Sequence, residues 1–191
     1  MARIDALDKA LIEELGDLLD AEKQLTRALP RLAKAASTDE LRTLFEEHLE
    51  QTREHIDRLN AAFERLGAPA RGRKCDGIRG IIAEGEDVVS KLGKGLTLDA
   101  AVIGAAQKAE HYEIATYGTV RTWAKRLGHS DVASLLEQTL NEEKEADRRL
   151  TQLAEGSINP QAAEAADEAE AEGREAAPAR RSRPAPRVQA A

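Results

Sequence analysis

The chain has 191 residues, 41% apolar and 33% charged, which is enough for one domain with a buried core. A net charge of −7 excludes an obvious nucleic-acid-binding surface, and a single cysteine, Cys75, excludes an internal disulfide and fits a reducing compartment. Aromatics are only 3%, the chain opens on no apolar leader, and no run of 18 apolar residues occurs. A cytoplasmic helical protein without a membrane segment is therefore expected.

The first predicted helix covers 4–35. Leu11, Leu15, Leu18, Leu25, Leu29 and Leu32 recur at alternating spacings of three and four, and Glu22 stands where a leucine should be. Pro30 should kink its last turns. Ser37, Thr38 and Asp39 form the capping signal for a second helix over 39–66. Its stripe is Leu41, Phe45, His48, Thr52, His55, Leu59 and Ala62, so three consecutive core positions are polar. Gly67 ends it and 68–74 is a loop.

A shorter amphipathic segment follows over 76–92, weakened by Gly80 and Gly85. A turn is expected over 93–98, with Thr97 or Asp99 capping a third long helix over 99–127. That helix carries Val102, Ile103, Ala106, Ile114 and Val120 on one face, and the same face runs through Glu110 with Glu113 beside it. Ser130 is the expected cap of a fourth long helix, 131–155, with Gly156 after it. Its stripe is Leu136, Leu140, Glu143, Asp147 and Leu150. Beyond Pro160 apolar periodicity is lost. The expected organisation is a bundle over 1–158 and a disordered tail over 159–191, first Ala/Glu-rich, then Pro/Arg-rich. The acidic half of that tail has the composition of a transient helix.

Short turns join the long helices into two antiparallel pairs, and the link over 67–98 can run the length of a bundle. The fold expected is all-α, a four-helix bundle of ferritin-like topology with a short extra helix in the crossover. Each long helix has a polar break near its midpoint, and in such a bundle the midpoints meet at one level. A carboxylate on the core side of a helix costs several kcal/mol unless something pairs with it. One such acid is most simply a solvated edge residue, but four helices repeating the anomaly point to a shared site. Carboxylates plus a histidine in an apolar shell form the hard oxygen and nitrogen environment that iron or manganese prefers. The candidate ligands are Glu22, His48, Glu110, Glu113, Glu143 and Asp147. Glu22 and Glu110 each follow an alanine in their helices and read as a pair of bridging carboxylates, the others as terminal ligands. His55 and Thr52 read as hydrogen-bonding groups beside the site, His111 as exposed, Tyr112, Tyr117 and Trp123 as packing residues, and Cys75 as inert.

Five stretches carry a resemblance: Asp20-Ala-Glu-Lys-Gln-Leu25; Glu47-His-Leu-Glu50 with Thr52; Lys74-Cys75; Ala105-Ala-Gln-Lys-Ala-Glu-His-Tyr-Glu-Ile114 with Tyr117-Gly-Thr119; and Glu142-Glu-Lys144 with Asp147. Together they resemble the YciF-type ferritin-like stress proteins over about residues 5–155. The resemblance implies a rubrerythrin-like bundle, a homodimer, a dinuclear iron centre and a link to the general stress response of bacteria. Well-studied di-iron carboxylate proteins carry Glu-x-x-His on two helices. Here the second helix offers Gln51-x-x-Glu54 and the fourth Glu142-x-x-Glu145, so His48 and Asp147 are expected to substitute, and ferroxidase activity is not assured.

The leading expectation is thus a homodimeric stress protein holding iron or manganese, able to oxidise Fe(II) or consume peroxide. One rival is a metal-free helical interaction module whose acids pair with histidines, lysines or arginines. Another is a DNA-protecting protein using Arg180, Arg181, Arg183 and Arg187 of the tail, where four charges give weak, salt-sensitive contact.

Overall fold

The leucine stripes close into a bundle in which polar residues form one internal layer. The computed structural model describes residues 6–176. Its four long helices are α1 (Ala6–Ala35), α2 (Asp39–Arg65), α4 (Leu96–Arg126) and α5 (Ser130–Leu153), with the shorter α3 (Asp76–Lys91) in the crossover. No strand occurs among the described residues. α1 packs against α2 and α4, α5 against α4 and α2, and α3 lies across α4 and α1. The expected all-α bundle with a helix-bearing crossover is the fold observed.

Two apolar clusters fill the interior. One gathers Leu25, Leu29, Phe45, Ile78, Val102 and Leu150 with their neighbours. The other gathers Leu11, Leu15, Leu59, Phe63, Val120 and Leu136 with theirs. Between them in sequence, on all four long helices, come the buried Glu22, His48, Thr52, His55, Glu110, Glu113 and Glu143. The polar breaks seen in the sequence therefore form one stratum sealed above and below by hydrocarbon.

Local chemistry sets the boundaries. Gly67 at φ 63° and Gly128 at φ 86° take the left-handed conformation that stops α2 and α4. Gly16 serves a different need: the 68–74 loop lies on α1, with the Arg73 amide donating to the Gly16 carbonyl at 2.9 Å, and a Cβ at Gly16 would come within 2.8 Å of the Arg71 carbonyl oxygen. The expected kink at Pro30 does not end α1, which runs on to Ala35.

Four expectations differ. Asp99 does not cap α4, which begins at Leu96. Its buried carboxylate instead accepts from the Ser37 amide at 2.7 Å and from the Thr38 amide and hydroxyl at 2.9 Å each, so α4 caps the N-terminus of α2. Ser130 is likewise the first residue of α5, with His129 as the cap position. Gly156 does not terminate the last helix: a π-helical turn over Ala154–Ile158 leads into α6 (Asn159–Ala176). The wider turn brings both Ala154 and Ile158 into the core, which overrides the glycine. Residues 159–176, expected to belong to a disordered tail whose acidic half forms at most a transient helix, are helical, and α6 touches α4. The Pro/Arg-rich end of the expected tail lies outside the described residues.

Candidate metal centre

On α2, His48, Thr52 and His55 follow a four-then-three spacing, so one face buries all three. The Thr52 hydroxyl donates to the His48 carbonyl at 2.8 Å, which satisfies it inside the helix. α1 supplies Glu22, α4 supplies Glu110, Glu113 and Tyr117, and α5 supplies Glu143.

These side chains form two overlapping groups. Glu22, His55 and Glu143 offer ligand atoms within 4.8 Å of one another, and so do His48, Glu110 and Glu143. Glu143 belongs to both. Its Oε1 lies 2.9 Å from His55 Nδ1 and its Oε2 lies 3.6 Å from His48 Nε2. His55 Nδ1 is also 3.4 Å from Glu22 Oε1, and His48 Nε2 is 3.4 Å from Glu110 Oε1.

The outer nitrogens are anchored. His55 Nε2 is 2.9 Å from the Glu142 carboxylate, which Arg58 grips at both oxygens. His48 Nδ1 is 3.3 Å from the Gln51 side-chain oxygen. With the proton on the outer nitrogen, each ring aims a lone pair at the carboxylates, the arrangement that metal-ligating histidines adopt. Tyr117, fully buried, donates to Glu22 Oε1 at 2.5 Å.

The acids are not satisfied by the protein. Glu22 Oε2, Glu110 Oε2 and both oxygens of Glu113 and of Glu143 are buried without a hydrogen-bond partner, as is His55 Nδ1. Burial, reinforced by the Glu143 charge, holds the Glu110 carboxyl well above the usual range. Burial, then the Glu22 and Glu143 charges, does the same to Glu113. Glu22 is raised by burial, with His55 opposing. At Glu143 burial acts upward but His55 and His48 outweigh it, and the carboxyl is lowered. His55 is pushed up to about 10, since Glu143 and Glu22 overcome the cost of burying its charge. Four acids thus confront two imidazoles, and burial and mutual repulsion raise three of the four.

Among the sequence candidates, Glu22, His48, Glu110 and Glu143 come together, with Glu113 buried beside them. Asp147 stands apart: it is partly exposed, accepts from Gln107 Nε2 at 3.0 Å and lies 3.3 Å from His111 Nε2. Glu143 is the one carboxylate common to both groups, while Glu22 and Glu110, expected to bridge, belong to one group each. His55, read as a hydrogen-bonding neighbour, faces the carboxylates directly. Its signal was present in the sequence as a second histidine two turns from His48 on the same stripe. His111 is exposed as expected. Cys75 is buried at the N-cap of α3, 3.2 Å from the Tyr112 hydroxyl, and burial pushes its thiol up, so it is poorly reactive.

A family model described as Domain of unknown function (DUF892) matches residues 6–163. Protein YciF of Escherichia coli (strain K12) is 43% identical over 157 residues, covering 82% of this chain and 95% of that protein. The crystal structure of the E. coli stress protein YciF superposes with a TM-score of 0.78 over 81% of this chain and 98% of its own. YcfI from Rhodopseudomonas palustris, 39% identical, gives 0.75 over 79% and 97%. A ferritin-like, diiron-carboxylate protein from Bacillus anthracis str. Ames, only 18% identical, gives 0.62 over 78% and 99%, a likeness of fold that makes the bundle ferritin-like.

Proposed function

The chain belongs to the DUF892 family, alongside YciF, and from that premise we propose that it is a stress-response protein whose bundle holds a dinuclear iron or manganese centre. The observation that carries this reading is the set of buried carboxylate oxygens without a partner, Glu22 Oε2, Glu110 Oε2 and both of Glu113, around a Glu143 that faces the two imidazoles. A protein interior tolerates such atoms only when a bound charge or a proton answers them. Two divalent cations would neutralise four carboxylates. Glu22, His55 and Glu143 would hold one, His48, Glu110 and Glu143 the other, with Glu113 available to either. Asp147 has other partners and is a weaker candidate. The donor set, oxygen with one imidazole per position, suits iron or manganese better than softer ions.

Bound iron would supply a one-electron couple open to dioxygen or peroxide. The protein's own contributions are separate from that chemistry. Glu142 and Arg58 fix the ring of His55. Tyr117 holds Glu22 through its hydroxyl. The two apolar clusters exclude bulk water from the layer. A homodimer belongs to the same reading, and sedimentation equilibrium tests it. Among the described residues no helix is long and apolar enough to cross a membrane. The arginines expected to touch DNA lie outside the described residues.

The test is elemental analysis of protein purified without chelator, together with thermal melts in Fe(II) or Mn(II). Up to two equivalents of metal and a raised melting temperature are expected, since the ions bind only the folded site. No metal and no thermal shift would leave the metal-free ion-pair core, for which the contacts of His55 with Glu22 and Glu143 are the supporting observation.

A further inference from the structure

The buried layer is not equally sealed on every side. Glu22, Glu113, Glu143 and His55 have no exposure, whereas Glu110 retains 3% and His48 7%. Those two residues face a cleft of about 20 Å³ between α2 and α5, lined by Phe45, Gln51, Ala146 and Arg149 among others. That volume holds about one water molecule. Arg149, one of the lining residues, pairs with Glu47 at 2.7 Å, tying α5 to α2, and both side chains are substantially exposed.

We propose that this cleft is the route by which divalent cations reach the buried layer. Past the exposed Glu145 that also lines the cleft, His48 and Glu110 would be the first buried groups to meet the ion, and the Arg149–Glu47 pair the gate. The inference rests on the metal-binding reading above. Other sides of the layer fit the role less well. The outer nitrogen of His55 is covered by Glu142, itself gripped by Arg58, so passage there would break a connected network. The larger cavity of about 290 Å³ between α1, α3 and α4 is walled mostly by Leu25, Leu29, Ile82, Val89 and Ala106, and its one carboxylate, Glu86, is already paired with Arg31 at 2.8 Å, so it offers a partly dehydrated cation little. By contrast the α2–α5 cleft ends on an imidazole and a carboxylate. Its gate is an exposed ion pair, a weak contact that water screens and that opens readily. The cleft is too narrow for a hydrated ion, so the ion must shed water as it passes, one at a time.

A route differs from a ligand in its signature. Narrowing it slows uptake and release by the same factor and leaves the equilibrium affinity alone. The full chain, stripped with EDTA, is mixed with Co(II), whose visible bands report coordination, in stopped flow and by equilibrium titration. Ala146→Phe should slow uptake at least tenfold with unchanged affinity and stoichiometry. The retained stoichiometry also shows that the variant has folded. Arg149→Gln, which unties the gate and removes a positive charge from the mouth, should speed uptake several-fold, again at constant affinity. Wild-type uptake with rates unchanged in both variants would overturn the route alone. Absence of Co(II) bands in the wild type would sink the metal reading and the route with it.

Discussion

His48 and His55 stand two turns apart on one face of α2, yet only one of them is locked. His55 is wholly buried, and its outer nitrogen meets a carboxylate that an arginine grips at both oxygens. His48 leans on the neutral side chain of Gln51 at a looser 3.3 Å and touches the cleft. Glu143 joins the two, one oxygen toward each ring. The same residue types thus make a rigid half and an accessible half. A charged anchor raises the basicity of an imidazole and fixes its orientation more strongly than an amide does. The His55 half should therefore bind tightly and exchange slowly, the His48 half more weakly and faster.

The largest effect should come from the shared residue. Glu143→Gln is expected to weaken cation binding in both halves, by roughly 100-fold or more, because a ligand counts for more than the outer partners worth 10–100-fold. His55→Ala and His48→Ala should each lower stoichiometry by one equivalent while sparing the other. Inductively coupled plasma analysis after gel filtration reads all three. If Glu143→Gln retains one full equivalent, the carboxylate is not shared.

Next in size are the anchors. Glu142→Gln should weaken the tighter site by roughly 10–100-fold, whereas Gln51→Ala should change the weaker site only a few-fold. Isothermal titration with Mn(II) separates the two. Equal losses would erase the distinction between the halves.

How much of this was legible without coordinates depends on the kind of signal. The bundle was, because Leu11 to Leu32 on α1 and Leu41 to Ala62 on α2 repeat at helical spacing, and a polar residue in such a stripe is conspicuous. The level of the site followed, since all four breaks fall near helix midpoints. Which of these side chains converge was less legible. Asp147 lies on the α5 stripe as plainly as Glu143, but stripes have edges, and Asp147 is partly exposed and meets Gln107 and His111. Glu142 lies one position off the stripe and becomes the His55 anchor only because α2 and α5 are adjacent, which is a tertiary fact. Asp99 was legible as a capping residue, but not that it caps a helix 60 residues earlier in the chain. Continuation through Gly156 was hidden because local glycine chemistry argued for a stop while burial of Ile158 decided otherwise.

The metal-free protein gives a third, smaller test, through pH. Glu110 and Glu113 are raised above their ordinary value of 4.5, and His55 above 6.5 to about 10, so the folded state binds protons more tightly than the unfolded at all three. Stability from such groups is whole below the unfolded values and is lost as pH rises through the folded ones. Glu143, lowered, acts oppositely, but its contribution is gained and lost near and below 4.5 and does not bear on the neutral range. Urea denaturation in EDTA should therefore show stability declining steadily from pH 6 to pH 9. With saturating metal the trend should flatten or reverse, since ions displace these protons and bind better as pH rises. A rise in apo stability over that range would mean that the acids are already paired.

The smallest expected effect is that of Glu110→Gln, and set beside Glu143→Gln it separates two carboxylates that share a histidine-lined layer. Glu110 is raised and Glu143 is lowered, so neutralising each should move apo stability in opposite directions at pH 7. Glu110 sits among acids, and among the described residues the one basic side chain within ion-pair range is the His48 imidazole at 3.4 Å. Replacing a crowded buried acid by its neutral isostere removes repulsion that protonation would otherwise have to relieve. Glu110→Gln should therefore stabilise the EDTA-treated protein by something on the order of 1 kcal/mol. Glu143 is the partner on which His55 leans most closely, and removing it strands a buried imidazolium, so Glu143→Gln should cost a few kcal/mol, within the range of about 3–5 kcal/mol for a broken buried pair. The two melts together decide what either alone cannot. Loss of stability in both variants means an ion-pair core, in which every acid has its cation. Opposite signs mean too many acids for the cations present, which is the condition a dinuclear metal centre leaves behind when the metal is taken out.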